Sequence, residues 1–365
     1  MRSRRRADQV FFGIVVVLVF FGSIIFFSAW MGLLAREETK YTNVLLSHFA
    51  SEILGLIALV AASKVPYRFW KKNSFYIFVG SIVLTLLVFI PGIGVEQGGA
   101  RSWIYIPFSV QPSEILKIGF IIYFAAFLSS LKNNLYELKK GVLQIILILS
   151  VIGIILLAQP DTGTLFVIGA TALSMFIAAG GKWKHVFGLV ALGMGGILAL
   201  ALARPYVMER LLTFVNPAND ALSSGWQIKQ SLIAIGSGGL FGRGFGQSIQ
   251  KFGYLPEPIG DSIFSVAAEE FGFIGGALII LLFLALALRG LSIVKRAPDL
   301  FSRLFVLGIV IMITVQSFWN IGSMLGVFPL TGIPLLFISH GGTSFIMTMF
   351  AIGIVLNISK HTKEN

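Results

Sequence analysis

The chain has 365 residues, 56% of them hydrophobic and only 12% charged, with a mean hydropathy of +0.89. A soluble domain carries about 25% charge to keep its surface wet. A soluble enzyme, a disordered chain and a disulfide scaffold are therefore excluded, and an all-α polytopic membrane protein is implied. Cysteine is absent, which removes thiolate metal sites and thiol nucleophiles. The net charge of +12 reads as topology plus attraction to anionic membrane lipid, not as a nucleic-acid surface.

Crossing a hydrocarbon core about 30 Å thick takes roughly 20 apolar residues of helix. Ten such runs follow in order, near 8–30, 44–63, 75–92, 113–130, 141–158, 162–180, 185–203, 263–289, 303–323 and 343–358. The first follows Arg2, Arg4, Arg5 and Arg6 and is too long for a cleaved signal, so it reads as an uncleaved anchor. With the N-terminus in the cytoplasm, the cytoplasmic segments hold nineteen of the 28 Lys and Arg residues. The outer loops 31–43, 92–112, 159–161 and 323–342 hold two, one, none and none. Basic residues are retained inside, so this alternation predicts ten transmembrane helices with both termini cytoplasmic, and a nine-span reading breaks it.

The expected organisation is one ten-helix membrane domain, 1–365. Within it a long extracytoplasmic loop, 204–262, joins the seventh helix to the eighth. Its aromatic and apolar content argues for a functional loop, and Trp226 to Ile235 has the pattern of an amphipathic helix at the interface. The segment Asn320 to Ser344 is too apolar for a solvated loop and too rich in Gly and Pro for a helix. It is expected to line a cavity or pack on protein.

Charges within or beside the spans are costly, so each is a site candidate: Glu52, Glu114, Lys117, Asp161, Glu269 and Glu270. Glu114 and Lys117, three residues apart after Pro112, can form a structural ion pair or present a cation to an anionic substrate. Arg101 is the only basic residue of 92–112 and would add a second positive group there. Asp161 follows Pro160 at a tight turn and suits a helix N-cap.

Asp261 follows Pro256, Pro258 and Gly260 and directly precedes an apolar helix, on the outer side. It reads either as another N-cap or as a carboxylate general base whose ionisation the helix dipole favours and desolvation opposes. Glu269 or Glu270, two helical turns on, reads as a buried anchor partnered by Lys117 or Arg101. The glycines of Gly236 to Gly246 lack the Gly-Lys-Ser/Thr ending of a phosphate loop. Close backbone packing is the favoured reading there, with Arg243 on a lipid phosphate as the other. His340 is a candidate hydrogen-bonded structural group, and the four His residues show no metal-ligand spacing.

Four motifs in order resemble the SEDS family (shape, elongation, division and sporulation). They are Gly99-Ala100-Arg101-Ser102-Trp103-Ile104 with Gln111-Pro112-Ser113-Glu114-Ile115-Leu116-Lys117; Gln159-Pro160-Asp161-Thr162-Gly163-Thr164; Leu255-Pro256-Glu257-Pro258-Ile259-Gly260-Asp261 with Glu269-Glu270-Phe271-Gly272; and Thr331-Gly332-Ile333-Pro334 with Ser339-His340-Gly341-Gly342-Thr343-Ser344. The family commonly has His-Thr where Ile259-Gly260 stands, and Tyr where His340 stands. Gly246 to Phe252 and Tyr254 to Glu257 are more similar to the division branch (FtsW) than to the elongation branch (RodA).

The resemblance implies a peptidoglycan glycosyltransferase that polymerises lipid II at the outer face of the bacterial cytoplasmic membrane and releases undecaprenyl diphosphate. Asp261 falls on the family's essential aspartate. Arg101, Lys117, Arg243 and Lys251 are then the candidate substrate-binding cations for the departing diphosphate, and Glu114, Asp161, Glu269, Glu270 and His340 the supporting set. No cofactor is implied, although a divalent cation could share the charge stabilisation. The implied partners are a class B penicillin-binding protein (a transpeptidase) and other division proteins. Two rival readings use the same buried charges: a lipid II flippase, and a non-catalytic scaffold that activates a transpeptidase.

Overall fold

The computed structural model describes residues 7–35, 38–97, 100–106, 108–131, 137, 141–203, 205–215 and 224–362. The basic residues 1–6, Gly98 and Gly99, most of 131–140, Arg204 and residues 216–223 of the long loop lie outside the described residues.

Each of the ten apolar runs is helical. Among the described residues, seven helices are long and apolar enough to cross a membrane. These are α1 (Gln9–Leu34), α2 (Glu38–Lys64), α5 (Pro112–Leu131), α8 (Trp183–Ala203), α11 (Ile263–Arg296), α12 (Leu300–Met324) and α13 (Gly342–Ser359). The remaining three, α4 (Ser74–Leu86), α6 (Leu143–Ala158) and α7 (Thr162–Ala178), are shorter apolar helices. Short helices complete the set: α3 (Tyr67–Lys72), α9 (Pro205–Val215) and α10 (Ser224–Ser237). Helix α10 covers the amphipathic stretch read from Trp226 to Ile235.

Helix α12 is the hub, packed by α5, α7 and α11, while α13 lies along α2. Small residues permit that approach: a Cβ at Gly353 would strike the Leu59 carbonyl, and one at Gly55 would lie 2.5 Å from the Phe345 ring. The outer faces of α1, α2, α4 and α8 expose large apolar side chains such as Phe20, Ile57, Val83 and Leu198, as a lipid-facing surface requires.

Two local structures differ from the expectation. The segment 92–112 contains a three-stranded antiparallel sheet of β1 (Gly94–Gln97), β2 (Ala100–Ile106) and β3 (Phe108–Val110), paired Val95 to Trp103 and Tyr105 to Ser109. Its strands are rich in β-branched and aromatic residues, but they are too short to stand out beside twenty-residue apolar runs.

The run from 263 is also not one continuous helix. Gly272 interrupts α11 with φ 67° and ψ −164°, a conformation open essentially to glycine alone. The break frees the carbonyls of Glu269 and Glu270 and the amides of Phe273 and Ile274. The glycine-rich loop supplies all four partners: Arg243 N and Gly244 N donate to Glu269 and Glu270 at 3.0 Å each, while Gly239 O and Leu240 O accept from Phe273 and Ile274 at 2.8 and 3.2 Å. A Cβ at Gly238 or Gly242 would collide with the carbonyl of Ala268 or Glu270. Those glycines therefore serve close backbone packing, the reading the sequence favoured.

Candidate functional site

Asp261 lies at the end of the long loop, immediately before Ser262, the N-cap residue of α11. A tight turn delivers it there: Glu257, at φ 45°, accepts from Gly260 N at 3.0 Å and Ser262 N at 3.2 Å. The start of α11 carries no side-chain cap, so the N-cap reading of Asp261 is overturned. Its Oδ1 instead accepts from Gln227 Nε2 of α10 at 2.9 Å, with Ser262 Oγ at 3.5 Å.

Three successive carbonyls of this turn are gripped from the opposite side. His340 N donates to Ile259 O at 2.7 Å and Ser339 Oγ to Gly260 O at 2.7 Å. Asn320 Nδ2 of α12 donates to Asp261 O at 2.8 Å and also to Ile333 O at 2.9 Å. The later part of the irregular segment after α12 is buried, with Leu335 and Ile338 at 0% exposure, as expected of broken backbone at this depth, while Val327 and Phe328 nearer α12 are exposed. It therefore acts as a frame for the Asp261 turn.

Asp261 is partly buried and lines a shallow crevice with Asn320, Ser323 and Thr331. Burial pushes its carboxyl up to about 6; the nearby Glu257 charge adds to the rise and the Gln227 amide opposes it. Such a group ionises just below neutral pH, where a base is both available and strong enough to take a proton.

The expected cations divide into two kinds. Arg101 is exposed on β2, and the sheet is tied to the start of α13, where Gln111 N, just after β3, donates to Thr343 Oγ1 at 3.1 Å. Arg243 keeps 38% of its side chain exposed, with Nε 3.6 Å from Glu269 Oε1. Lys117 is buried, 2.8 Å from Glu114 Oε1 and donating to Gln316 Oε1 of α12 at 2.7 Å.

Lys251 is fully enclosed. Its Nζ donates to Glu270 Oε1 at 2.7 Å and to Ser28 Oγ of α1 at 2.8 Å. The expected partners of Glu269 and Glu270 are corrected accordingly: Arg243 and Lys251 hold them, and Lys117 is engaged elsewhere. The expectation that Lys251 faces substrate is corrected as well, because its side chain is fully enclosed and no substrate group reaches it. Asp161 caps α7, accepting from Thr164 N at 3.0 Å. The His340 ring stacks 5.7 Å from Phe26, with His48 beside it. Glu52 accepts from Ser23 Oγ at 2.5 Å, with His48 Nε2 at 3.3 Å.

Sequence reasoning missed Gln227, Asn320 and Ser339. Asn320 carries a signal in hindsight: an amide buried in an otherwise apolar helix needs partners.

The fold and this site define a polytopic helical membrane protein with a raised carboxylate at a gripped turn before α11. Residues 8–364 match the cell cycle protein family FtsW/RodA/SpoVE, and the chain belongs to that family. It is 42% identical over 311 residues, 85% of each chain, to stage V sporulation protein E of Bacillus subtilis. It is 37% identical over 364 residues, 100% of this chain and 97% of the other, to a probable peptidoglycan glycosyltransferase FtsW of Geobacter metallireducens.

Among solved structures, one described as "Structural coordination of polymerization and crosslinking by a peptidoglycan synthase complex" aligns with TM-score 0.81 and 26% identity, covering 98% of this chain and 99% of the other. The rod shape determining protein RodA of Thermus thermophilus aligns with TM-score 0.72 and 25% identity, covering 98% of each. Several further FtsW-named relatives match over nearly the whole chain, in line with the division-type likeness of the loop motifs.

Proposed function

We propose that this chain is a peptidoglycan glycosyltransferase that polymerises lipid II during cell division, with Asp261 as general base. One observation carries the reading: a carboxylate raised to about 6, partly buried in a crevice and held by three backbone grips and one amide. As the 4-hydroxyl oxygen of the acceptor sugar attacks the anomeric carbon of the donor, Asp261 takes the hydroxyl proton. The bond from that carbon to the diphosphate oxygen breaks, and undecaprenyl diphosphate leaves with both electrons. Arg101 and Arg243, the expected cations that keep exposed surface, are the groups offered to its charge. The Glu114–Lys117 pair supports α5 against α12 from within.

The hollow beside Asp261 has no room for a sugar, so substrate entry requires the residues that line it, Thr331 among them, to move apart. The basic-residue pattern supports ten crossings within one domain, both termini cytoplasmic and Asp261 on the outer face of the cytoplasmic membrane. The likeness to a peptidoglycan synthase complex supports a class B penicillin-binding protein as partner, and the FtsW names of relatives support other division proteins around it.

The test is polymer formation from lipid II by the purified chain in detergent, with and without the partner, beside Asp261→Asn. Polymer from wild type and none from a folded Asp261→Asn is the expected result. An active Asp261→Asn removes Asp261 from the chemistry. Detergent has no second leaflet, so polymer formed there also separates a polymerase from a flippase.

A further inference from the structure

We infer that Glu270 and Lys251, with Glu269, are positioning residues that clamp the two ends of the segment carrying Asp261 and so hold its carboxylate at the crevice. The inference rests on the proposed role of Asp261. Lys251 and Glu270 are nineteen residues apart in sequence, and their side chains meet at 2.7 Å, both fully buried. Asp261 stands midway between them. Ser28 of α1 closes the triad: its hydroxyl lies 2.6 and 2.7 Å from the two oxygens of Glu270, donates its one hydrogen to that carboxylate and accepts from Lys251. Gly32, one turn further along α1, makes room for the lysine stem: a Cβ there would lie 2.7 Å from Lys251 Cγ.

Glu269 holds the same end of the segment through other atoms. It accepts from Ser248 Oγ at 2.6 Å, Ile249 N at 3.0 Å and Gln250 N at 3.3 Å. Two adjacent carboxylates thus grip residues 248–251, while their own carbonyls receive Arg243 and Gly244.

An ordinary structural pair would not need this location. The helical piece from Ile263 to Phe271 is cut from the rest of α11 by the break at Gly272. The long helix therefore cannot dictate the direction of that piece, and Asp261 sits at its outer end. The two glutamates sit at its inner end, next to the break, where a small rotation is carried straight to Asp261. Displacing a reacting group by about 1 Å can cost about a hundredfold in rate.

The test compares wild type with Glu270→Gln, which keeps the side-chain shape and removes the charge, in detergent with the partner present. Expected for the folded variant is a fall in kcat of about tenfold with KM for lipid II within about twofold. Amide exchange from Leu255 to Ser262 should rise. The acid limb of the rate profile should move to lower pH, because a loosened turn hydrates Asp261 and returns its carboxyl toward the ordinary range.

A merely structural pair would lower the melting temperature and leave kcat and the acid limb of the folded molecules unchanged, which overturns the inference. Unchanged exchange at Leu255 to Ser262 overturns it equally. If Glu270→Gln does not fold, Ser28→Ala keeps the ion pair and loses only the bridging hydroxyl; the same changes are expected at about threefold, and their absence in kcat and exchange overturns the clamp. Equal activity of wild type and Asp261→Asn would mean that the proposed chemistry itself has failed, whereas the exchange arm reports on the clamp without any turnover.

Discussion

Gln227 is the most direct handle on the proposed base. Its amide is the one side-chain donor within 3 Å of the Asp261 carboxylate among the described residues, and it sits on α10, outside the motifs that carry the family resemblance. A hydrogen bond to a charged acceptor contributes about 1.5–3 kcal/mol, and 1.36 kcal/mol moves a titration by one pH unit. Gln227→Leu removes a donor that favours the ionised form, so the Asp261 carboxyl should rise from about 6 by about one to two pH units.

A reaction that needs the carboxylate loses rate as pH falls through that value. At pH 7 the ionised share should drop from about nine-tenths to between about one half and one tenth, lowering kcat/KM roughly two- to tenfold, while at pH 9 the variant should nearly match wild type. The assay is the initial rate of lipid II polymerisation from about pH 5 to pH 9. An acid limb that stays in place, or moves to lower pH, refutes the assignment of that limb to Asp261.

Three further predictions follow from the same geometry. Asp261→Asn should be inactive yet more stable: the rise from 3.8 to about 6 disfavours the folded ionised form by about 3 kcal/mol. Because the folded pKa is the higher one, this stability is present below pH 4 and lost as pH rises through 6. The melting temperature of Asp261→Asn should therefore exceed that of wild type at pH 7.5, with the gap vanishing near pH 4. Gly272→Ala should cost about 3 kcal/mol or more, seen as loss of monodisperse protein on gel filtration, since the new Cβ meets Gly242 N in a backbone conformation closed to alanine. Lys117→Met should lower stability by about 3–5 kcal/mol by leaving Glu114 buried without its cation, and Lys117→Met with Glu114→Gln should recover most of it in thermal melts.

The membrane class, the positions of the apolar helices and the turn that carries Asp261 were legible in the sequence, because each depends on local quantities. An apolar run of twenty residues can only be a helix in lipid, and two prolines before an acid at a span end mark a turn whatever surrounds them. The Glu114–Lys117 pair and the Asp161 cap were legible for the same reason, since their partners lie within one helical turn.

What stayed hidden depends on partners far apart in the chain. Lys251 and Glu270 are joined only because a break at Gly272 and a glycine-rich loop fold the segment between them back on itself. Without that break the sequence pointed the glutamates toward Lys117 or Arg101, and the lysine toward substrate. The capping of α11 by Asp261 was a sound local reading that Gln227, thirty-four residues away, overrides by drawing the carboxylate to itself. Hydrophobic patterning thus determined which segments enter the membrane. Only the packed structure decided which buried charges meet, because a charge out of water must take whatever partner the tertiary fold brings within about 3 Å.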